Sequence, residues 1–267
     1  MSYARFRRAG RSMVSAPTRD SGSAAAPRPP RADRIAPRTH RRRPSDITLK
    51  TTMALTGIAF AGFVFVHMIG NLKVYFGQDE FDHYAHWLRT LLQPLVPYSG
   101  VLWILRIVLL ASLIAHVVAA FLLTRRARAA RGPHRRAGLG VRTLPARTML
   151  VTGIVLLAFV VFHILDLTTG TSPVASSEFV DTTRETSHAY GNLVASFERW
   201  PVAVFYIVVM LLLGMHLVHG IWSVVHDLGG TGRRLRQCGA VIAGVVAVAV
   251  TVGNVSIPIA VLTGVVS

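Results

Sequence analysis

The sequence has few cysteines, few acidic residues and few charged residues of any kind. Its single cysteine, Cys238, excludes an internal disulfide framework and any metal centre that needs two or more cysteines from this chain. Charged residues make up 15% of the chain, whereas soluble domains carry about 25%, which argues against an ordinary soluble globular protein. Twelve acidic residues face 29 lysines and arginines, so the net charge is +17 in a chain that is 52% hydrophobic. The positive charge must therefore be segregated from the apolar part.

Much of that charge lies at the N-terminus. Residues 1–50 contain thirteen basic residues, three acidic residues and six prolines. Such a segment buries too little apolar surface to offset its ordering entropy, so we predict a disordered basic tail over residues 1–46. No apolar run typical of a secretory signal is present. The basic run Arg41–Arg43 precedes an apolar stretch, which is typical of a topology determinant or an anionic-lipid contact, and no nucleic-acid partner is expected.

Five apolar stretches in residues 47–267 are each long enough to cross a membrane. They cover residues 51–72, 98–123, 147–169, 201–225 and 239–264. The predicted fold is therefore an all-α membrane protein with five transmembrane helices in a bundle. In the first connecting segment, Phe81, Tyr84 and Leu88 recur at helical spacing, which favours a short helix on the membrane surface.

The charges between the stretches predict an orientation. Residues 124–147 contain eight arginines and no acidic residue, and residues 226–238 contain three arginines and one aspartate. The other two connecting segments, 73–97 and 170–200, are slightly acidic. By the positive-inside rule the arginine-rich segments are cytoplasmic, so we expect the N-terminus inside the cell and the C-terminus outside.

Histidines in four of the five stretches are the most informative residues, because ionisable residues inside a membrane are rare and usually functional. His67 and His163 each lie 16 residues, or about 24 Å, from the arginine-rich end of their stretch. His116 and His216 lie 7 and 9 residues from that end, or about 10–14 Å. Two layers of two histidines match the axial ligand needs of two stacked haems b in a helix bundle.

Four motifs carry a resemblance to a known family. They are His67-Met68-Ile69-Gly70-Asn71-Leu72, Tyr84-Ala85-His86-Trp87-Leu88-Arg89, His163-Ile164-Leu165-Asp166-Leu167-Thr168 and His216-Leu217-Val218-His219-Gly220-Ile221-Trp222-Ser223. Together they resemble the five-helix, single-subunit, di-haem cytochrome b anchor of succinate dehydrogenase and fumarate reductase, respiratory complex II. The resemblance runs from about residue 47 to residue 264.

The resemblance implies ligands for two haems. By motif position His67 and His163 would hold the distal haem, and His116 and His216 the proximal haem. His219 is the alternative to His216 as the haem ligand in the fourth stretch. In the family the ligand stands at the first of these two positions.

A proximal quinone site is expected at the cytoplasmic end of the fourth stretch. His219, Trp222 and His226 share one helix face there, and Ser223 lies beside them. A ring for stacking and side chains that can donate hydrogen bonds or relay protons suit a quinone.

Two charged residues lie inside apolar stretches, Arg106 and Asp166. An isolated charge in lipid is costly, so one interpretation pairs these two residues with each other. The other assigns Arg106 to a propionate of the distal haem.

The resemblance implies a multi-pass subunit of the bacterial inner (cytoplasmic) membrane. It would dock the iron–sulfur and flavoprotein subunits of a succinate-oxidising complex of the tricarboxylic acid cycle and of electron transport, with lipid and quinone as further partners. The chain has no G-x-G-x-x-G motif after a strand and no nucleophile elbow, so we expect no dicarboxylate chemistry in it. The quinone type, the direction of the reaction and a higher oligomer are left open.

Alternatives remain at this stage. Histidines also ligate Rieske-type 2Fe–2S centres, which here would need cysteines from a partner subunit. The anchor of another di-haem quinol oxidoreductase, such as a fumarate or nitrate reductase, is a second alternative. A transporter with a histidine proton relay is a third, although its class favours broken helices.

Overall fold

The structure, a computed structural model, describes residues 44–131, 144–230 and 232–267. Within these residues the chain is all-helical. Its helices are α1 (Asp46–Asn71), α2 (Gln78–Thr90), α3 (Gly100–Arg131), α4 (Leu144–Leu167), α5 (Ala189–Phe197), α6 (Trp200–Asp227) and α7 (Arg233–Leu262), with a 3-10 turn over Leu72–Phe76 after α1. The predicted disorder of the tail falls on residues outside the described ranges, apart from residues 44–46.

Five helices in the described part of the chain are long and apolar enough to span a membrane: α1, α3, α4, α6 and α7. They coincide with the five predicted stretches, so the predicted fold class is confirmed. Their boundaries differ by a few residues. Helix α1 begins five residues early because the Ser45 side chain accepts a hydrogen bond from the Thr48 N–H and caps the helix. Helix α3 continues through the first arginines of the segment that follows it.

Helices α1 and α6 are the inner members of the four histidine-bearing helices. Helix α1 packs against α3 and α6, and α4 packs against α6. Helix α7 covers α6 in the most extensive helix–helix interface of the described chain. Gly214 makes this close approach possible, since a Cβ atom there would overlap the side chain of Thr251 on α7.

The two short helices lie at the end of the bundle opposite to the arginine-rich C-terminal end of α3. Helix α2 corresponds to the predicted surface helix, and it ends at Thr90 because Leu91 leaves the helical conformation. Helix α5 was not predicted. It is buried along most of its length and packs against α2, α4, α6 and α7.

Most large apolar side chains outside the core are exposed, as expected for surfaces in contact with lipid. Helix α3 is the extreme case, with Trp103, Ile107, Leu110 and Phe121 all more than half exposed. The core itself lies in two clusters. One surrounds Phe159, Tyr206 and Val209, and the other surrounds Met68, Leu217 and Val250.

Candidate functional site

The structure brings His67 of α1 and His163 of α4 together across the bundle. Their ring centres are 5.9 Å apart and their planes are nearly perpendicular, at 82°. We call these two residues the outer pair, because they lie in the half of the bundle away from the arginine-rich end. Their expected role as ligands of one haem stays a prediction.

Aromatic rings enclose the outer pair. Phe63, one helical turn before His67, stacks on it with ring centres 5.3 Å apart. Phe159, one turn before His163, stacks on that ring at 5.7 Å. Each imidazole is therefore contacted by a phenylalanine four positions earlier on the same helix. This spacing places two side chains on one helix face. These contacts hold the two imidazoles in defined orientations.

A chain of hydrogen bonds runs from the outer pair to a buried carboxylate. The Tyr206 hydroxyl lies 3.3 Å from Nδ1 of His163 and donates to Oδ2 of Asp166 at 2.9 Å. Since the hydroxyl proton is directed at the carboxylate, Tyr206 accepts from the Nδ1–H of His163. The Nε2 atom of His163 is then left with a free lone pair.

Asp166 pairs with Arg199, so the interpretation that paired it with Arg106 is wrong. Arg199 donates to Oδ1 of Asp166 at 2.6 Å, and the Ser196 hydroxyl donates to Oδ2 at 2.6 Å. The Asp166 side chain is completely buried. The physical reason is the unpredicted helix α5, which carries Ser196 and brings the Arg199 that follows it to the outer end of α4.

Arg106 lies elsewhere, on the exposed face of α3. Its guanidinium is 4.9 Å from the ring centre of Trp103, one turn earlier, in a cation–π contact. Its expected role at a haem propionate stays a prediction.

His116 of α3 and His216 of α6 form what we call the inner pair, nearer the arginine-rich end. Each has a threonine partner on a neighbouring helix. Oγ1 of Thr56 on α1 is 2.9 Å from Nδ1 of His116, and Oγ1 of Thr152 on α4 is 3.0 Å from Nδ1 of His216.

Glycines adjoin the inner pair. A Cβ atom on Gly57 would stand 3.8 Å from Cε1 of His116, and one on Gly153 would stand 3.7 Å from Cε1 of His216. Glycine therefore keeps the edge of each ring free of a side chain from the neighbouring helix.

The ring separation of the outer pair is compatible with two imidazoles that would bind one iron. Metal–imidazole bonds of about 2 Å on both sides of an iron would place the two ring centres roughly 6 Å apart, which agrees with the observed 5.9 Å. Within the described residues, no group of three or more histidines, cysteines or acidic residues could hold a bare metal ion. Pairs of histidines without further ligands suit an iron whose equatorial positions are already filled by a porphyrin.

His219, Trp222 and His226 form a continuous aromatic face near the arginine-rich end of α6. The Trp222 ring centre is 6.1 Å from that of His219 and 4.2 Å from that of His226. Nδ1 of His226 lies 3.0 Å from the Trp222 carbonyl oxygen, which can only accept, so Nδ1 donates. Its Nε2 atom is buried and without a hydrogen-bond partner among the described residues.

Ser223 points to a different group. Its hydroxyl donates to Oδ2 of Asp227 at 3.3 Å, and the other oxygen of Asp227 lies 3.7 Å from Nζ of Lys50. Its expected role toward quinone stays a prediction, as does that of the other three residues.

The arginine-rich end presents exposed cations on two helices. Arg125 and Arg128 on α3 and Arg233, Arg234 and Arg236 on α7 are exposed, while Arg126 forms an ion pair with Asp46. Arg135, Arg136 and Arg142 lie outside the described residues.

Sequence reasoning missed several residues that contact the histidine pairs or Asp166, among them Thr56, Thr152, Tyr206 and Arg199. A signal for the two threonines was present. Residues 56–67 and 152–163 both read T-G-I-x4-F-V-x2-H. This short internal repeat contains the threonine, the glycine, the stacking phenylalanine and the histidine described above.

Comparison with known proteins gives a match to a family of membrane subunits. The model for the succinate dehydrogenase/fumarate reductase transmembrane subunit matches residues 125–253. The match includes His163, His216 and the aromatic face of α6. No curated protein and no solved structure matches significantly.

Proposed function

Because the chain belongs to the succinate dehydrogenase/fumarate reductase transmembrane-subunit family, we propose that it is the di-haem membrane anchor of such a complex. In this role it docks an iron–sulfur subunit and a flavoprotein subunit and supports electron transfer to membrane quinone. The observation that carries the proposal is the 5.9 Å approach of His67 and His163 across the bundle.

The chemistry of the four histidines supports two b-type haems. His163, His116 and His216 each have Nδ1 engaged by a hydroxyl group, and a metal-ligating histidine normally has its second ring nitrogen bound in this way. Haem iron supplies one-electron redox chemistry when it is bound. The chain's own part is to present Nε2 lone pairs at fixed positions and to exclude water with Phe63 and Phe159.

The aromatic face of α6 supports a quinone site at the arginine-rich end. Reduction of a quinone to a quinol takes two electrons and two protons. In neutral His226 the donating Nδ1 makes Nε2 an acceptor, which can take a proton from a quinol hydroxyl. In protonated His226, Nε2 donates to a quinone carbonyl. The 39% exposed ring of Trp222 offers a surface for stacking, and His219 offers a second polar contact.

Charge supports the docking of soluble subunits at the same end. The exposed arginines of α3 and α7 form a positive surface that an acidic face of an iron–sulfur subunit would complement. Docking there would bring the electron donor close to the inner histidine pair and to the aromatic face of α6.

The test is the haem content of the purified complex. A pyridine haemochrome assay should give two haems per anchor. His67→Ala and His163→Ala should remove one component of a redox titration, and His116→Ala and His216→Ala should remove the other. His83→Ala, at an exposed position on α2, is the matched control and should keep both components.

Other outcomes separate the alternatives. A haem-free complex whose spectra show a 2Fe–2S centre would favour the Rieske-type reading and contradict ours. Co-purification with a molybdenum-containing nitrate reductase instead of a flavoprotein would assign another complex. A chain that purifies alone and without cofactor would favour a transporter.

Quinone binding needs its own measurement. We expect Trp222→Ala and His226→Ala to raise the quinone KM while both haems are retained. An unchanged KM and reductase rate in both variants would put the quinone site elsewhere.

A further inference from the structure

Thr56 and Thr152 occupy equivalent places in the fold. Both are the first residue of the repeat T-G-I-x4-F-V-x2-H, at residues 56–67 and 152–163. Both lie on a helix whose own histidine, eleven residues later, belongs to the outer pair. Eleven helical residues span about 16 Å, so each threonine hydroxyl is far from the histidine of its own helix. It lies instead beside a histidine of the inner pair on another helix.

Each threonine hydroxyl already donates its proton to a carbonyl oxygen of its own helix. Thr56 donates to the carbonyl oxygen of Thr52 at 2.7 Å, and Thr152 donates to that of Thr148 at 3.1 Å. A carbonyl oxygen can only accept, and a hydroxyl has one proton and two lone pairs. Each threonine therefore meets its histidine as an acceptor, and the histidine donates its Nδ1–H.

This arrangement fixes the tautomer and the orientation of both inner rings. With the proton on Nδ1, the Nε2 atoms of His116 and His216 carry the lone pairs that a metal requires. An acceptor at Nδ1 also makes the imidazole a stronger donor through Nε2. The glycine after each threonine keeps the adjoining ring edge uncovered.

We propose that Thr56 and Thr152 are paired positioning residues for the haem held by His116 and His216, each acting from a helix that itself ligates the other haem. The proposal rests on the proposed function. It assigns a role to two residues outside the four ligands.

The test compares Thr56→Val, Thr152→Val and the double variant in the purified complex. Valine keeps the size and branching of threonine and removes the acceptor. Loss of a residue that hydrogen-bonds a metal ligand lowers metal affinity roughly 10–100-fold. We therefore expect the inner haem of the double variant to transfer to apomyoglobin roughly 10–100-fold more readily. Its midpoint potential should rise because weaker ligand donation disfavours the ferric state. Thr56→Ser and Thr152→Ser should restore both properties.

Thr52→Val is the matched control. Thr52 lies one turn before Thr56 and makes the same kind of bond to a helix carbonyl, at 2.9 Å to Thr48. We expect it to leave both haems unchanged.

The outer haem distinguishes positioning from structural damage. Thr56 and His67 share helix α1, so a distortion of that helix would release both haems together, whereas loss of the acceptor should affect the inner haem alone. Equal loss of both haems would overturn the proposal, as would a double variant with wild-type haem transfer and potentials. A wild-type complex without haem would overturn the proposed function itself, and the threonine assignment with it.

Discussion

Replacement of Asp166 by alanine should destabilise the outer end of the bundle strongly. The Asp166 side chain is 0% exposed and that of Arg199 is 29% exposed, so the variant leaves a mostly buried cation without its partner. Removal of one member of a buried pair costs about 3–5 kcal/mol. Ser196 and Tyr206 also lose an acceptor. Since Arg199 retains some contact with solvent, we expect the lower end of that range, about 3 kcal/mol.

The measurement is the thermal midpoint of the purified protein in detergent, followed by intrinsic fluorescence. For a chain of this size 3 kcal/mol corresponds to a decrease in Tm of roughly 6–12 °C. Glu80→Ala is the control, because Glu80 and its partner Lys73 are 4.0 Å apart and their side chains are 64% and 40% exposed. An exposed ion pair of this kind contributes at most about 1 kcal/mol.

A double-mutant cycle sharpens the result. If the uncompensated cation causes the loss, Arg199→Ala should recover part of the stability of the Asp166→Ala variant. A Tm within 2 °C of the Glu80→Ala value, or strictly additive effects of the two substitutions, would refute the reasoning.

Three further predictions follow from single contacts. Tyr206→Phe removes the hydroxyl between His163 and Asp166, so the midpoint potential of the outer haem should change while that of the inner haem stays constant in a redox titration. Ser45→Ala removes the N-cap of α1 and should lower the free energy of unfolding by about 1 kcal/mol, as measured by denaturant titration in detergent. Gly214→Val places a branched side chain against Thr251 and should lower the Tm by several degrees, since overpacking costs about 1–3 kcal/mol; an unchanged Tm would contradict the close approach of α6 and α7.

The sequence predicted the five long helices because a run of about 20 apolar residues has few other stable structures. Helix ends were less predictable. They depend on local bonds, such as the Ser45 cap, and on the tendency of α3 to continue through residues that are polar but favour helices.

Helix α5 was missed because nine residues between two charged segments resemble a loop. Its burial depends on four other helices, which no local pattern reports. The partner of Asp166 was missed for the same reason, since Arg199 reaches it only by way of α5. The depth of each histidine could be estimated because the rise per helical residue converts sequence position into depth, and the role of the histidines as ligands stays a prediction.

The threonine partners form an intermediate case. Their hydrogen bonds join residues 60 and 64 positions apart, so spacing alone does not predict them. The repeated T-G-I and F-V segments nevertheless mark them, and a search of apolar stretches for short repeats would have found both.

The sparse packing of α3 affects how the bundle assembles. Apart from α2, α3 packs chiefly on α1, and lipid chains are as apolar as its exposed face, so the hydrophobic effect gives an inserted α3 no preference for protein over bilayer. Its lifetime in place therefore depends on close contact with α1 and on the bond between His116 and Thr56. A cofactor that bound both His116 and His216 would link α3 to α6 and would thereby hold α3 in the bundle.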